Sequence, residues 1–364
     1  MGVTMKGPCE RPGENEDQRE EVIAPAGCFA GVPEADKDSE ADSDSDLETE
    51  GIHGLREPIR DALHVGSCRA YSIVPTMYFL NQGCAPELKL RHRGLGPQGA
   101  WALASMLTSN PYIKRLDLQD NGLCAAGAEA LAYVLSKNSS ICDVDLSENQ
   151  IGVAGAQALC AALKVNQAVQ KIQLAGNSLE EKAAQYLAEL LLVHTGLKSL
   201  DVSYNQLNDQ AGETLGPALA ENTGLTELNI SWNHLRGPGA IVFARGLEAN
   251  IFLKVLDISF NGFGDSGASA VGEALKANNV LEELNMSNNR ISAMGARHLG
   301  LGLRVNQTLR ILVDMQVNRE FDDLASSVKV ILPGLCIKTG APRVNYKKEL
   351  LPVFRPPPPA SALK

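Results

Sequence analysis

The sequence predicts an α/β solenoid: short units stacked so that a parallel sheet lines the concave face and helices line the convex face. Three observations carry this. Apolar residues recur at Ile113, Ile141, Val169, Leu197, Leu225, Leu253, Leu281 and Leu309, every interval being 28 residues. Three and five positions after each, two more apolar residues stand two apart, as Leu116 and Leu118 or Leu228 and Ile230 do; that step puts both side chains on one face of a strand. Later in each unit the step becomes four, as between Leu131 and Leu135 or Leu215 and Leu219, which is the spacing of a helix. One strand and one helix cannot close a core alone, so units must stack. Strands pack closer together than helices, which bends the stack with the sheet inside.

Residues 1–54 come first, as an acidic tail. The chain has a net charge of -10, yet residues 1–50 hold four basic and fifteen acidic side chains, so the rest is close to neutral. Every even position from Glu34 to Glu50 is acidic, a composition that cannot bury enough apolar surface to order itself. Ser39, Ser43 and Ser45 interleave with this run, and each has an acidic residue three positions on (Asp42, Asp46, Glu48). That is the pattern of an acidophilic kinase substrate; a solvated charge run is the plainer reading. Asp42, Asp44 and Asp46 are spaced like the start of a calcium loop, but Leu47 stands where glycine is needed and His53 where glutamate is, which excludes it. Residues 55–84 are expected to cap the first unit, with Tyr71, Ile73, Val74, Tyr78, Phe79 and Leu80 supplying the apolar face.

The repeats follow over 85–312. An asparagine closes each predicted strand, at Asn121, Asn149, Asn177, Asn205, Asn233, Asn261 and Asn289. Backbone groups lose their ladder partners where the chain turns away from a strand, and a buried amide can satisfy them; a structural ladder is therefore expected. A second asparagine follows each helix, at 110, 138, 166, 222, 250, 278 and 306, with His194 in the remaining unit. These are expected to be left-handed helix terminators. Alternate strand positions point out of the sheet and are small, polar and mildly acidic, including Asp117, Asp145, Asp201, Glu227 and Asp257. Just before the ladder asparagine the residues run Asp120, Glu148, Gly176, Tyr204, Trp232, Phe260 and Asn288. Three successive aromatics, one per strand at about 4.8 Å, form the leading candidate for a partner-binding site, flanked by Asp201, Glu227 and Asp257. Packing of the rings on one another or on a tail is the alternative.

Over 313–351 a degenerate unit and C-terminal cap are expected. The next ladder asparagine arrives at Asn318, one residue late, which breaks the register. Residues 352–364 contain Pro352-Val353-Phe354-Arg355 and four further prolines, an extended polyproline segment of the kind that docks into aromatic grooves. A tail with no partner is the alternative.

The unit LxxLxLxxNxL followed by Gly-Ala and a Leu-rich helix resembles the ribonuclease-inhibitor type of leucine-rich repeat. This type also occurs in nucleotide-binding innate-immune receptors and in the Ran GTPase-activating protein. Residues 85–308 carry the resemblance. A fainter one, to the leucine-rich repeat-containing protein 74 family, rests on Tyr71, Val74-Pro75, Phe79-Leu80 and the run from Leu90 to Gly96. The first implies a leucine-rich-repeat solenoid, or horseshoe; the second implies a fold and no activity.

Chemistry is sparse. Six histidines make no metal-ligand spacing with cysteine or acid, and no phosphate loop, dinucleotide fingerprint or serine-nucleophile elbow is present. Neither an enzyme nor a cofactor is expected. Eight cysteines without a CxxC pair are read as reduced thiols of a cytoplasmic or nuclear chain. No signal region and no apolar run of about 18 residues is seen, so no membrane partner is expected. The near-neutral body argues against nucleic acid, and no small-molecule substrate is implied. The expected function is a non-enzymatic scaffold or adaptor that binds an unidentified protein on the concave face or its rim. Two alternatives follow from the resemblance. One is a small-GTPase regulator, although the Ran activator has its acidic run after the repeats. The other is an inhibitor of the ribonuclease-inhibitor kind, although those proteins are longer, Cys-rich, and alternate Asn with Cys at the ladder.

Overall fold

The structure, a computed structural model, describes residues 86–314 and 336–339. The chain divides into two units, Met1–Thr49 and Glu50–Lys364, and every described residue lies in the second. The expected acidic tail with Ser39, Ser43 and Ser45, the N-terminal cap, the register fault at Asn318 and the Pro-rich end lie outside the described residues.

Ten strands form one parallel sheet in chain order. They are β1 (Glu87–Lys89), β2 (Arg115–Asp117), β3 (Asp143–Asp145), β4 (Lys171–Gln173), β5 (Ser199–Asp201), β6 (Glu227–Asn229), β7 (Val255–Asp257), β8 (Glu283–Asn285), β9 (Ile311–Asp314) and β10 (Cys336–Thr339). Between β1 and β9 run α1 (Gly96–Leu107), α2 (Cys124–Lys137), α3 (Gly152–Val165), α4 (Glu181–Val193), α5 (Asp209–Glu221), α6 (Gly237–Ala249), α7 (Gly264–Ala277) and α8 (Ala293–Leu303). Each helix packs on its sequence neighbours. This is the α/β leucine-rich-repeat solenoid that the period predicts, and the sheet is not closed. Strand pairing keeps the 28-residue period, Leu88 beside Leu116 and on to Leu284 beside Leu312. It changes only at β10, where Cys336 stands beside Ile311, three residues short of the period.

The two apolar spacings meet in one continuous core. In α6 the four-residue step is made by Phe243 and Leu247, each 1% exposed, and the Phe243 ring meets Phe263 edge-on at 6.4 Å between centroids. Helices α5 and α6 touch through backbone. A Cβ on Gly239 would lie 2.1 Å from the Asp209 carbonyl oxygen, and one on Gly246 2.1 Å from that of Gly216, so no larger residue fits this approach.

Two asparagine ladders tie the units together. Asn149 shows the first: its Nδ2 donates to the carbonyls of Leu118 (2.9 Å) and Leu146 (3.0 Å), and its Oδ1 accepts from the Asn121 N–H (3.0 Å). Asn205, Asn233 and Asn289 donate in the same way to one carbonyl in the preceding unit and one in their own. The second ladder departs from expectation. The asparagines that directly follow α2, α3, α5, α6 and α7 are extended, not left-handed, with Asn138 at φ -87°, ψ 120° and Asn250 at φ -74°, ψ 131°. The reason is that the amide bridges units instead of capping its own helix. Nδ2 of Asn138 donates to the carbonyls of Leu107 (2.6 Å) and Asn110 (2.8 Å), while Oδ1 accepts from the N–H groups of Ser140 (2.7 Å) and Ile141 (3.0 Å). His194 takes this place in one unit. Its Nδ1 accepts from the Leu197 N–H at 2.9 Å, but its buried Nε2 falls short of a hydrogen bond.

Candidate interaction surface

The residue before each ladder asparagine, three past the end of its strand, lies in the left-handed region, and His92, before Arg93, holds the same place in the first unit. His92, Asp120, Glu148, Gly176, Tyr204, Trp232, Phe260 and Asn288 all have φ between 52° and 66°. Its N–H still reaches the next unit before the chain turns away: Tyr204 N donates to Ser231 O, Trp232 N to Ser259 O (both 3.0 Å) and Phe260 N to Ser287 O (2.9 Å). Glycine, asparagine and aspartate suit such a position; a bulky L residue there is an outlier costing roughly 1–2 kcal/mol. Local backbone preference therefore does not account for three aromatics in succession. The column also begins earlier than the sequence shows, at His92, whose Nδ1 lies 2.8 Å from Asp120 Oδ2. Asp120, Gly176 and Asn288, residue types that tolerate the left-handed region, were its signal in the sequence.

The rings stack. Tyr204 and Trp232 lie 5.1 Å apart between centroids at 12°, and Trp232 and Phe260 3.9 Å apart at 10°. In-register parallel strands hold equivalent side chains about 4.8 Å apart, which is stacking distance. Tyr204 remains 45% and Trp232 42% exposed, and Phe260 is half-buried. The rings pack on one another, as the alternative reading has it, and remain partly exposed.

The flanking acids differ among themselves. Glu227 is exposed on β6. Asp201 is half-buried; its Oδ1 accepts from the Ser203 N–H at 2.9 Å and its Oδ2 from Asn229 Nδ2 at 3.0 Å. Asp257 repeats the pattern with Ser259 N (2.9 Å) and Asn285 Nδ2 (2.8 Å). Much of each aspartate's hydrogen-bonding capacity thus turns its own strand end. Burial pushes the Asp201 carboxyl above the usual carboxylate range, against the hydrogen bonds from Ser203 and Asn229. Burial also raises the Tyr204 phenol, and the charges of Asp257 and Asp201 raise it further.

At the other end of the sheet the outward positions are less open than the alternation predicts. Asp117 and Asp145 are 1% and 4% exposed, because Arg91 lies over both, Nε on Asp117 Oδ2 and Nη2 on Asp145 Oδ2 at 3.1 Å. Desolvation, then the Asp145 charge, raises the Asp117 carboxyl against this arginine. Ser203, Ser231, Ser259 and Ser287 are buried as well: they sit where the strand turns, beneath the left-handed column. Among the described residues no cluster of His, Cys, Asp or Glu is arranged to hold a metal ion, and no helix is long and apolar enough to cross a membrane.

The repeat family model agrees with this architecture. The family model described as "Leucine Rich repeat" matches residues 109–132, 137–160, 194–216, 221–244, 249–272 and 277–300. Leucine-rich repeat-containing protein 74B of Homo sapiens is 71% identical over 111 residues, which are 30% of this chain and 28% of that protein. Its Mus musculus counterpart is 63% identical over 111 residues, with the same coverage. The matched segment is thus little more than a quarter of either relative's length. Among solved structures, leiomodin-1 actin-binding site 2 aligns with 47% of this chain and 86% of its own at 17% identity and a TM-score of 0.34. The tropomodulin C-terminal domain of Caenorhabditis elegans aligns with 42% and 92% at 19% identity and a TM-score of 0.36. Leucine-rich-repeat proteins generally mediate protein–protein interaction and are typically not enzymes. With its unbroken 28-residue register, its two ladders and the repeat matches, the chain has the leucine-rich-repeat solenoid fold and resembles leucine-rich repeat-containing protein 74B over the shared segment.

Proposed function

We propose that this chain is a non-enzymatic scaffold that grips a protein partner at the sheet rim formed by Tyr204, Trp232 and Phe260, with Asp201, Glu227 and Asp257 beside them. One observation carries the reading: three bulky rings occupy left-handed positions that disfavour them and stack there half-exposed. Backbone strain of order 1–3 kcal/mol per residue tends to gather at functional sites, and aromatics supply most anchors of protein interfaces. Replacing all three by Ala in the full chain removes the surface and leaves both ladders in place. Proximity labelling in cells that make the protein should then lose the partners captured by the unaltered chain, while the thermal melt stays cooperative. A triple variant that retains every partner overturns the proposal.

A further inference from the structure

The acids of the sheet fall into two groups. On β1 to β3, Glu87, Asp117, Asp143 and Asp145 are paired with Arg91 or Arg115. On β5 to β8, Asp201, Glu227, Asp257 and Glu283 have no basic partner among the described residues. No Lys or Arg occupies an outward position of those four strands, which are otherwise Ser, Asn and Val. The uncompensated charge lies in the same units as the aromatic stack. Negative potential beside exposed ring surface is the environment that a guanidinium prefers, since it stacks on aromatic rings and forks to carboxylates. Spacing narrows the ligand further. Asp201 and Asp257 stand two strands apart, about 9.6 Å, and a polyproline helix repeats every three residues, about 9.3 Å.

We infer that the rim takes an arginine-bearing, proline-rich segment of a partner protein. It lies across β5 to β7 as a polyproline helix, with arginines three apart directed at Asp201 and Asp257, Glu227 on the strand between them adding to the negative potential, and its apolar face on Tyr204, Trp232 and Phe260. This rests on the partner-binding reading above and adds the chemistry of the bound segment.

The chain has two tryptophans, Trp101 and Trp232, so Trp101→Phe in the full chain leaves Trp232 as a local reporter. That matters because the acidic residues 34–50 will attract any cationic peptide elsewhere. The probes are synthetic Arg-Pro-Pro-Arg-Pro-Pro, its lysine and citrulline counterparts, and an isomer with adjacent arginines. The arginine peptide should shift Trp232 emission saturably. The citrulline peptide should bind on the order of tenfold more weakly, and the lysine and adjacent-arginine peptides several-fold more weakly. Glu227→Gln, an exposed change that leaves the fold alone, should weaken the arginine peptide about threefold or more. Equal binding by the citrulline peptide, or no effect of Glu227→Gln, overturns the inference. So does a tenfold gain in peptide affinity on deleting residues 340–364, which would identify the chain's own C-terminal segment as the occupant. If the triple Ala variant loses cellular partners while no arginine peptide reaches Trp232, this inference fails and the scaffold reading stands.

Discussion

At the residue scale, His194 is the exception that tests the second ladder. Seven units place asparagine there; its amide offers two donors and an acceptor at once, where an imidazole can serve only one bond at each nitrogen. Burial holds the His194 imidazole below its ordinary value of 6.5, with the Asn166 carbonyl opposing only in part. A histidine depressed in the folded state adds stability that is complete above its unfolded pKa, about 6.5, and is lost as pH falls through the folded value. Protonation would also remove the acceptor that Nδ1 offers to the Leu197 N–H. His194→Asn should therefore flatten this part of the pH dependence. Urea denaturation of both proteins at neutral and mildly acidic pH checks it, and the unaltered chain should lose more stability on acidification.

At the element scale, the helices show how much repeat geometry depends on small residues. Helices α5 and α6 meet where Gly246 faces Gly216 and Gly239 faces Asp209, leaving no room for a methyl group against backbone. Gly246→Ala should push α6 off α5 and cost about 1–3 kcal/mol, even though alanine is the better helix former by up to about 1 kcal/mol. A urea midpoint at or above that of the unaltered chain would refute this close approach. The strands depend on a different device. The left-handed residue before each ladder asparagine keeps its N–H on the next unit while the chain turns away, which fixes where every ring of the aromatic column stands.

At the scale of the whole molecule, stability is shared between neighbours, because each unit buries its core only against the units beside it. Leu228 on β6 is 5% exposed and belongs to the continuous core. Leu228→Ala should cost roughly 2–5 kcal/mol in a urea titration, and an unchanged midpoint would contradict the observed register. Charge is distributed at the same scale: arginines neutralise the acids of the first strands, while those of β5 to β8 have no basic partner among the described residues. The aromatic stack lies within that second region, so the face for which a partner is proposed differs from the rest of the sheet in both charge and ring surface.

The order and register of the array from β1 to β9 were legible in the sequence because they follow from periodicity: steps of two and four between leucines, repeated every 28 residues, are local facts that packing had only to satisfy. The asparagines of both ladders were legible for the same reason, but the conformation of the second was not. Asn138 looks like a helix terminator until the carbonyls of Leu107 and Asn110, in the preceding unit, are brought to its amide. The aromatic run at Tyr204, Trp232 and Phe260 could be read directly. That its backbone is left-handed and its rings stack depended on the in-register neighbours 28 residues away. Only the tertiary structure decided which acids are neutralised, since Arg91 reaches Asp117 and Asp145 across strands that are far apart in the chain. Local spacing determines which face a residue occupies; what it meets there depends on the units stacked on either side.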